Sequence, residues 1–216
     1  WATNSMFFWT QTTSMPYKGF TRGRNFELEN EDAIALRNEI PELHLICPRN
    51  QLGGYQGSNN VVRGNKTGPF SIYGDVPDYF KLERRTLIAG RILNEDDMRE
   101  KRKVCVIGKR VQEMLFEADE NPIGDNIRVN GVYFKVIGVY DSKRKGEDAD
   151  EDLQTVMMPL STFQQTFNYG NKVGWFSISA KPNHSIVAVE DKVFGVLKKR
   201  HSIHPDDDRA FGSWNL

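Results

Sequence analysis

The chain has 216 residues, its 29 lysines and arginines are balanced by 29 aspartates and glutamates, and 38% of its residues are hydrophobic. These values are typical of a folded globular protein and exclude a disordered chain or a collagen. Two cysteines are too few for a disulfide scaffold. The zero net charge argues against nucleic acid as a partner, because nucleic acids are bound through a surplus of Lys and Arg.

Membrane and targeting signals are missing from the sequence as it stands. It has no run of about 20 apolar residues, the length that a transmembrane helix needs. It starts at Trp1 instead of Met and shows no signal-peptide pattern. We therefore expect the chain to be a piece of a longer protein.

The first 25 residues mix aromatic side chains with Ser, Thr and Asn and show no sustained apolar period. This pattern predicts an irregular approach segment. A helix is predicted from Asn30, a good N-cap residue, because Glu31 and Asp32 follow in the first turn and favour the positive end of the helix dipole. Pro41 ends this helix.

Short strands are predicted next. Residues 44–47 favour a strand, and the Gly- and Asn-rich stretch 53–60 favours a loop. Two further short strands, 61–62 and 69–73, are predicted on either side of a turn at 64–68.

The middle of the chain has shorter apolar runs with more turn residues. A buried strand is predicted at 103–107, ending at Gly108, with a short helix after it. Asn130 and Gly131 both tolerate positive φ and predict a tight β-hairpin turn. The charged stretch 141–152 predicts a solvated loop.

The last third returns to longer elements. Ser161 and Gln164 have capping-box spacing at the start of a predicted helix. A half-buried strand is predicted at 172–181, and apolar residues at helical spacing predict a helix over 186–197. The basic run 198–201 then fits the negative end of that helix's dipole better than it fits a binding patch.

Catalytic and metal-binding patterns are weak. The carboxylates at 206–208 and the pair His201 and His204 are the candidates for a metal site, but they lack a converging third ligand. A free-standing metal-dependent hydrolase is kept as an alternative on these residues alone. Cys105 lies in an apolar run and is expected to be a buried thiol, so we do not expect a disulfide with Cys47.

Several ordered sequence blocks carry a family resemblance. They are residues 74–82 (GDVPDYFKL), 89–93 (AGRIL), 95–97, 104–108, 121–124, 127–139 and 158–162. Together they resemble the periplasmic core domain of MacB-type (MacB/FtsX/LolC-like) ABC transporter permeases, over roughly residues 26–210. The residues that we take as defining the fold are Gly74, Tyr79, Phe80, Gly90, Arg91, Gly108, Gly124, Gly131, Gly138 and Pro159. Among these, Gly138 is expected to mark a bulge or a close backbone approach.

The resemblance implies an α+β fold with two subdomains. One is a mixed α/β subdomain of β-α-β elements, called Porter-like, made from residues 26–83 and 158–216. The other is an inserted β-rich subdomain, called Sabre-like, at 84–157. Residues 1–25 are then the membrane-proximal approach segment.

The resemblance also implies a function. Such domains lie outside the inner membrane, between the first two of four transmembrane helices of a permease that works as a homodimer with an ABC ATPase. The domain would couple cytoplasmic ATP hydrolysis to export or force transmission, with a periplasmic adaptor and an outer-membrane channel as further candidate partners. It would hold no catalytic residue, metal or cofactor itself, since the ATPase uses the ATP. The alternative within the family is a lipoprotein-release permease, which an apolar groove on the α/β subdomain would favour.

The aromatic residues near the start of the chain are the candidate contact residues. They are Trp1, Phe7, Phe8, Trp9 and Tyr17. We predict that they face the lipid headgroups or the partner subunit, since aromatic side chains are enriched at membrane interfaces. Packing into the protein core is the alternative.

Overall fold

The structure is a computed structural model that describes residues 3–53, 59–143 and 146–216. Within them the strands are β1 (Ser5–Thr10), β2 (Leu28–Glu29), β3 (Leu43–Gly53), β4 (Val61–Arg63), β5 (Lys66–Gly68), β6 (Ser71–Asp75), β7 (Thr86–Gly90), β8 (Val104–Gly108), β9 (Asn126–Val129), β10 (Val132–Asp141), β11 (Thr155–Pro159), β12 (Lys172–Val173), β13 (Trp175–Ala180) and β14 (Phe211–Asn215). The helices are α1 (Asn30–Glu39), α2 (Tyr79–Leu82), α3 (Glu95–Arg99), α4 (Lys109–Leu115), α5 (Glu147–Leu153), α6 (Leu160–Thr166) and α7 (Ile186–Arg200). This mixture confirms the predicted α+β class.

The chain divides into two compact units. The first unit is made of Trp1–Arg49, Lys81–Glu83 and Gly170–Leu216, and the second unit of Asn50–Phe80 and Arg84–Tyr169. Each unit has its own cluster of buried apolar side chains. The segment 84–157, predicted as an insertion, falls in the second unit together with 50–80 and 158–169.

The first unit contains an antiparallel sheet in the order β14-β1-β13-β3. The prediction that the first 25 residues are irregular is wrong for Ser5–Thr10, because β1 lies between β13 and β14. Met6 and Phe8 alternate into the core, whereas Phe7 and Trp9 point to the other face. Because both faces carry aromatic residues, the polar-apolar alternation that identifies a strand is hidden in the sequence.

The two long helices of the first unit follow the predictions. In α7 the residues Ile186, Val189, Val193 and Leu197 are all buried, as their helical spacing requires. Helix α1 begins one residue from the expected place, since Glu29 rather than Asn30 is its N-cap. The strand predicted at 172–181 is interrupted, with β12 pairing with β2 and β13 pairing with β1 and β3.

The second unit contains a mixed sheet in the order β3-β6-β11-β8-β10-β9-β4-β5, with β7 also paired to β10. Parallel pairing occurs between β6 and β11 and between β8 and β10. The hairpin between β9 and β10 is confirmed, with φ of 46° at Asn130 and 83° at Gly131. Part of the loop predicted at 53–60, namely 54–58, lies outside the described residues.

Three local predictions for the second unit are wrong. Strand β5 occupies most of the turn predicted at 64–68 and forms a hairpin with β4. Helix α5 forms within the charged stretch 141–152, where Ala149 is buried and acidic residues occupy the first turn, their favoured place relative to the helix dipole. The hydroxyl of Ser161 does not cap α6 but donates to the Met98 carbonyl at 2.5 Å.

Candidate functional site

The sheet of the first unit has an aromatic face, formed by Phe7, Trp9, Trp175 and Trp214. Phe7 lies opposite Trp214 in the β1–β14 register, and the Phe7 and Trp9 ring centroids are 5.7 Å apart. Trp214 is 62% exposed. In β13, Trp175 alternates with the buried Phe176 and therefore shares the face of Phe7.

Local features hold these rings in place. A Cβ at position 212 would come within 2.4 Å of the Trp9 ring, so Gly212 allows the ring to lie close over β14. The Arg49 guanidinium, itself buried, is 5.4 Å from the Trp175 ring centroid, a distance suited to a cation–π contact. The aromatic face is thus an ordered surface of the sheet.

The predicted contact residues separate into different environments. Phe8 is fully buried, stacks on Phe176 with centroids 5.4 Å apart, and is a core residue, which corrects its prediction as a membrane- or partner-facing residue. Phe7 and Trp9 lie on the aromatic face, and Tyr17 is half-buried with its ring edge-on to His204. Trp1 lies outside the described residues.

Sequence reasoning missed two members of the aromatic face, Trp175 and Trp214. In β14 the face of Trp214 carries only Gly212 besides it, and in β13 Trp175 stands at the first position of the strand, so neither tryptophan was assigned to a face. A usable signal was the alternation of Trp175 with Phe176 and Ile178. That pattern places Trp175, which is half-buried, on the face opposite the core.

The motif glycines of the second unit permit close backbone approaches. Gly90 and Gly138 are opposite each other in the β7–β10 register. A Cβ at Gly90 would be 2.0 Å from the Ile137 carbonyl oxygen, and one at Gly138 would be 2.1 Å from the Arg91 carbonyl oxygen. The register of β10 against β8 shifts between Val136 and Gly138, so a bulge is present where a glycine is required.

The other fold-defining residues occupy structural positions. Gly74 packs against Phe163 and Gly108 against the Leu153 backbone, at distances that a side chain would not allow. Gly124 and Gly131 have positive φ and open space around them. Tyr79 is buried, Phe80 is half-buried, and Pro159 is buried at the end of β11. These positions are consistent with a role in the fold.

Arg91 belongs to a charged group that we call the Asp97 cluster, formed by Arg91, Asp97 and Arg102. Asp97 is fully buried, and its carboxylate accepts hydrogen bonds from Arg91 at 2.7 and 3.1 Å and from Arg102 at 3.2 Å. Asn94 and Asp97 form a reciprocal capping box at the start of α3. Burial alone would raise the pKa of Asp97, but the hydrogen bonds from Arg91 and Asn94 hold it below its ordinary value.

The first unit has a comparable group, the Asp32 cluster, formed by Asp32, Arg200 and His201. Asp32 is fully buried and accepts hydrogen bonds from the Glu29 backbone N–H at 2.8 Å and from Arg200 Nε at 2.7 Å. Its carboxylate also lies 2.9 Å from His201 Nε2. Burial acts to raise the pKa of Asp32, but the bonds to His201 and Arg200 leave it lowered.

The candidate metal ligands at 206–208 have a structural use. Asp207 is fully buried and accepts hydrogen bonds from the Ser14 N–H at 2.8 Å, the Ser14 hydroxyl at 2.6 Å and the Met15 N–H at 3.2 Å. Asp208 is highly exposed. In the part of the chain that the structure describes, no group of three His, Cys, Asp or Glu side chains could hold a metal ion. The hydrolase hypothesis is left without a supporting observation.

The two cysteines are buried thiols that do not form a disulfide. Burial raises the pKa of the Cys105 thiol well above its usual range, because it disfavours the thiolate. A thiol in such surroundings is a poor nucleophile.

Comparison with known proteins identifies the family. Residues 3–194 match the MacB-like periplasmic core domain family. The "Macrolide export ATP-binding/permease protein MacB" of Bdellovibrio bacteriovorus is 26% identical over 90% of this chain and 29% of its own length. The protein of the same name from Syntrophobacter fumaroxidans is 35% identical over 61% of this chain and 18% of its own length. The chain thus spans less than a third of these relatives.

Solved structures show the same fold. The periplasmic region of MacB from Actinobacillus actinomycetemcomitans matches with a TM-score of 0.77 and 24% identity, over 99% of this chain and 89% of that one. The extracellular domain of the noncanonic ABC-type transporter YknZ from Gram-positive bacteria matches with a TM-score of 0.78 and 15% identity, over 98% and 100%. None of the described helices has the length and apolar character to cross a bilayer. The chain belongs to the MacB-like periplasmic core domain family of ABC transporter permeases.

Proposed function

We propose that this domain couples ATP hydrolysis by an associated ABC ATPase to export or force transmission, as part of a homodimeric permease of the inner membrane. The observation that carries the proposal is the position of the two outermost described strands. In the first unit β1 and β14 pair antiparallel, and the Leu216 N–H donates to the Ser5 carbonyl at 2.9 Å. A domain inserted between two consecutive membrane helices needs its two connections side by side in this way.

This arrangement also suits the transmission of movement. Strand β1 is hydrogen-bonded on one edge to β14 and on the other to β13. A displacement of either membrane connection would therefore be shared by several strands through their ladder of hydrogen bonds. The first unit would move as a body instead of unravelling from its ends.

The aromatic face is the surface that we propose for contact with the partner subunit. Its aromatic side chains are large and apolar, and such residues are enriched in the buried centres of protein interfaces. Phe7, Trp9 and Trp175 are half-buried and Trp214 is exposed, so part of this apolar face is available to a partner. None of the observations on the described residues favours the alternative of a lipoprotein-release permease, which requires a groove for an acyl chain. Adaptor and outer-membrane channel contacts remain further proposals that follow from the family.

The test uses the full-length transporter in a lipid bilayer, with a spin label at Val187→Cys. Val187 is 62% exposed near the start of α7, and both native thiols are buried, so they need not be removed. We expect the distance between the two labels of a dimer to change between the nucleotide-free and ATP-trapped states. Identical distance distributions in the two states would refute the coupling, and the absence of any inter-label distance would refute the dimer.

A linker insertion separates transmission from ATP hydrolysis. A flexible Gly/Ser linker placed directly after Leu216 should preserve basal ATPase activity and reduce the change in label distance, because a flexible chain does not transmit displacement. The matched control is the same linker inserted at the exposed hairpin turn between Asn130 and Gly131, which should leave the distance change intact. If both insertions behave alike, the route through β14 is wrong.

A further inference from the structure

The second unit contains a polar cavity. Its volume is about 550 Å³, and it is lined by Lys101, Lys103, Val132, Gln165 and Thr166. These residues come from the turn after α3, the approach to β8, the start of β10 and the last turn of α6. The volume is within the range of roughly 300 to 1,000 Å³ found for small-molecule sites. We call this cavity the lysine pocket.

The charge of the lysine pocket is not neutralised locally. The three carboxylates that precede Lys101 most closely in the chain are already engaged by arginines. Asp97 is bound by Arg91 and Arg102, Asp96 is bound by Arg99, and Glu100 is bound by Arg102. Among the ion pairs of the described residues, none involves Lys101 or Lys103. Lys101, Lys103 and Gln165 are exposed, so the pocket is open to solvent, and its two ammonium groups have no carboxylate partner among the described residues.

The backbone that carries the two lysines is fixed on both sides. The Arg102 carbonyl accepts a hydrogen bond from the Thr162 hydroxyl at 2.8 Å, and the Lys103 carbonyl accepts one from the Lys135 N–H at 3.0 Å. Lys101 has a φ of 50°, in the left-handed region that non-glycine residues rarely adopt. This conformation ends α3 in a Schellman motif, in which the Lys101 N–H donates to the Met98 carbonyl at 3.3 Å and the Arg102 N–H donates to the Asp97 carbonyl at 3.0 Å. The helix end therefore fixes the backbone at Lys101.

The remaining lining residues complete a recognition site. Gln165 and Thr166 offer an amide and a hydroxyl as uncharged hydrogen-bond donors, and Val132 supplies an apolar wall. Lysine ammonium groups bind phosphate and carboxylate oxygens through charge-assisted hydrogen bonds. We propose that the lysine pocket binds a small soluble oxyanion, a carboxylate or phosphate ester whose apolar portion lies against Val132.

The test measures binding of citrate, inorganic phosphate and glycerol 3-phosphate to the chain by calorimetry, at constant ionic strength. Lys101→Gln and Lys103→Gln are the test variants. We expect saturable binding of at least one probe to the wild-type chain, and about tenfold weaker binding to each variant, because each loses a hydrogen bond to a charged group. Amide resonances of Lys101, Lys103 and Gln165 should shift on titration.

Lys143→Gln is the matched control. Lys143 is an exposed lysine of the same unit. It follows the C-terminal end of β10, whereas Val132 is at the N-terminal end, and the length of this strand puts Lys143 about 30 Å from the pocket. This variant should bind as the wild type does. The proposal is overturned if no probe saturates, if the control loses affinity as the test variants do, or if only vesicles of phosphatidylglycerol bind, since the last result would indicate general surface charge.

Discussion

Two of the fully buried carboxylates, Asp32 in the first unit and Asp97 in the second, occupy the same position in their helices and are neutralised in different ways. Each is the third residue of a helix and completes a capping box, with Glu29 and Asn94 respectively. Asp97 takes its cations from within six residues, Arg91 and Arg102. Asp32 takes its partners, Arg200 and His201, from the far end of α7, 168 and 169 residues away.

Because their partners lie at different distances along the chain, the Asp97 cluster and the Asp32 cluster have different structural roles. The Asp97 cluster fixes the local path of the chain around α3, so its contribution is local structure. The Asp32 cluster ties the first turn of α1 to the last turn of α7, so it fixes the packing of two helices that are far apart in sequence. A long-range contact of this kind restricts the chain more than a local one does. We therefore expect the first unit to be the more sensitive to loss of its carboxylate.

The largest effect is expected for Asp32→Asn. The change leaves His201, whose side chain is only 10% exposed, and Arg200 without their carboxylate partner. Removing one partner of a buried ion pair lowers the free energy of unfolding, and we expect a loss of about 3 kcal/mol here. This value is at the low end of the usual range because Arg200 can reach water. Trp9, Trp175 and Trp214 all lie in the first unit, so denaturant unfolding followed by tryptophan fluorescence measures this loss.

Asp191→Asn is the control for that measurement. Asp191 is an exposed carboxylate on α7, and its substitution should change the unfolding free energy by less than about 0.5 kcal/mol. Equal effects of the two substitutions would show that the Asp32 cluster does not join the helices.

A smaller effect, about 2 kcal/mol, is expected for Asp97→Asn, because the side chains of Arg91 and Arg102 are 44% and 38% exposed and can turn to solvent. The loss should appear as faster hydrogen exchange of the second-unit strand β8, while tryptophan fluorescence changes little. Asp96→Asn, which removes only an exposed pair with Arg99, is the control. If Asp97→Asn lowered the free energy of unfolding more than Asp32→Asn does, the expectation that the first unit is the more sensitive would be wrong.

The same contrast explains which features the sequence could predict. The helix predicted over 186–197 and the hairpin at Asn130–Gly131 depend on residues a few positions apart, and both are found in the structure. The binding of Asp32 by Arg200 and His201 leaves no local signal. The helix dipole explains the basic run 198–201 at the end of α7. That explanation does not identify Asp32 as the partner of Arg200 and His201.

The candidate site was predictable only in part for a related reason. Strand periodicity is detected from polar residues on the outer face, and the aromatic face replaces them with Phe7, Trp9 and Trp214. The capping-box pattern at Ser161 was misleading because α6 begins at Leu160 with Pro159 as its N-cap, so Ser161 lies inside the first turn and its hydroxyl donates to the Met98 carbonyl instead. Local patterns therefore failed where tertiary contacts satisfied the same groups differently.

The smallest change in the free energy of unfolding is expected from acid pH. Protonation of Asp32 or Asp97 leaves the carboxyl group in place, and it keeps some of its hydrogen bonds. The pKa of Asp32 and that of Asp97 are both lowered in the folded chain. Their stabilisation is therefore complete above the unfolded pKa of about 3.9 and is lost as the pH falls through the lower folded values. The stability difference between the wild type and Asp32→Asn should be constant from neutral pH down to about pH 5 and should narrow below about pH 4. A difference that did not narrow as the pH fell below about 4 would show that the charge on Asp32 does not control the cluster.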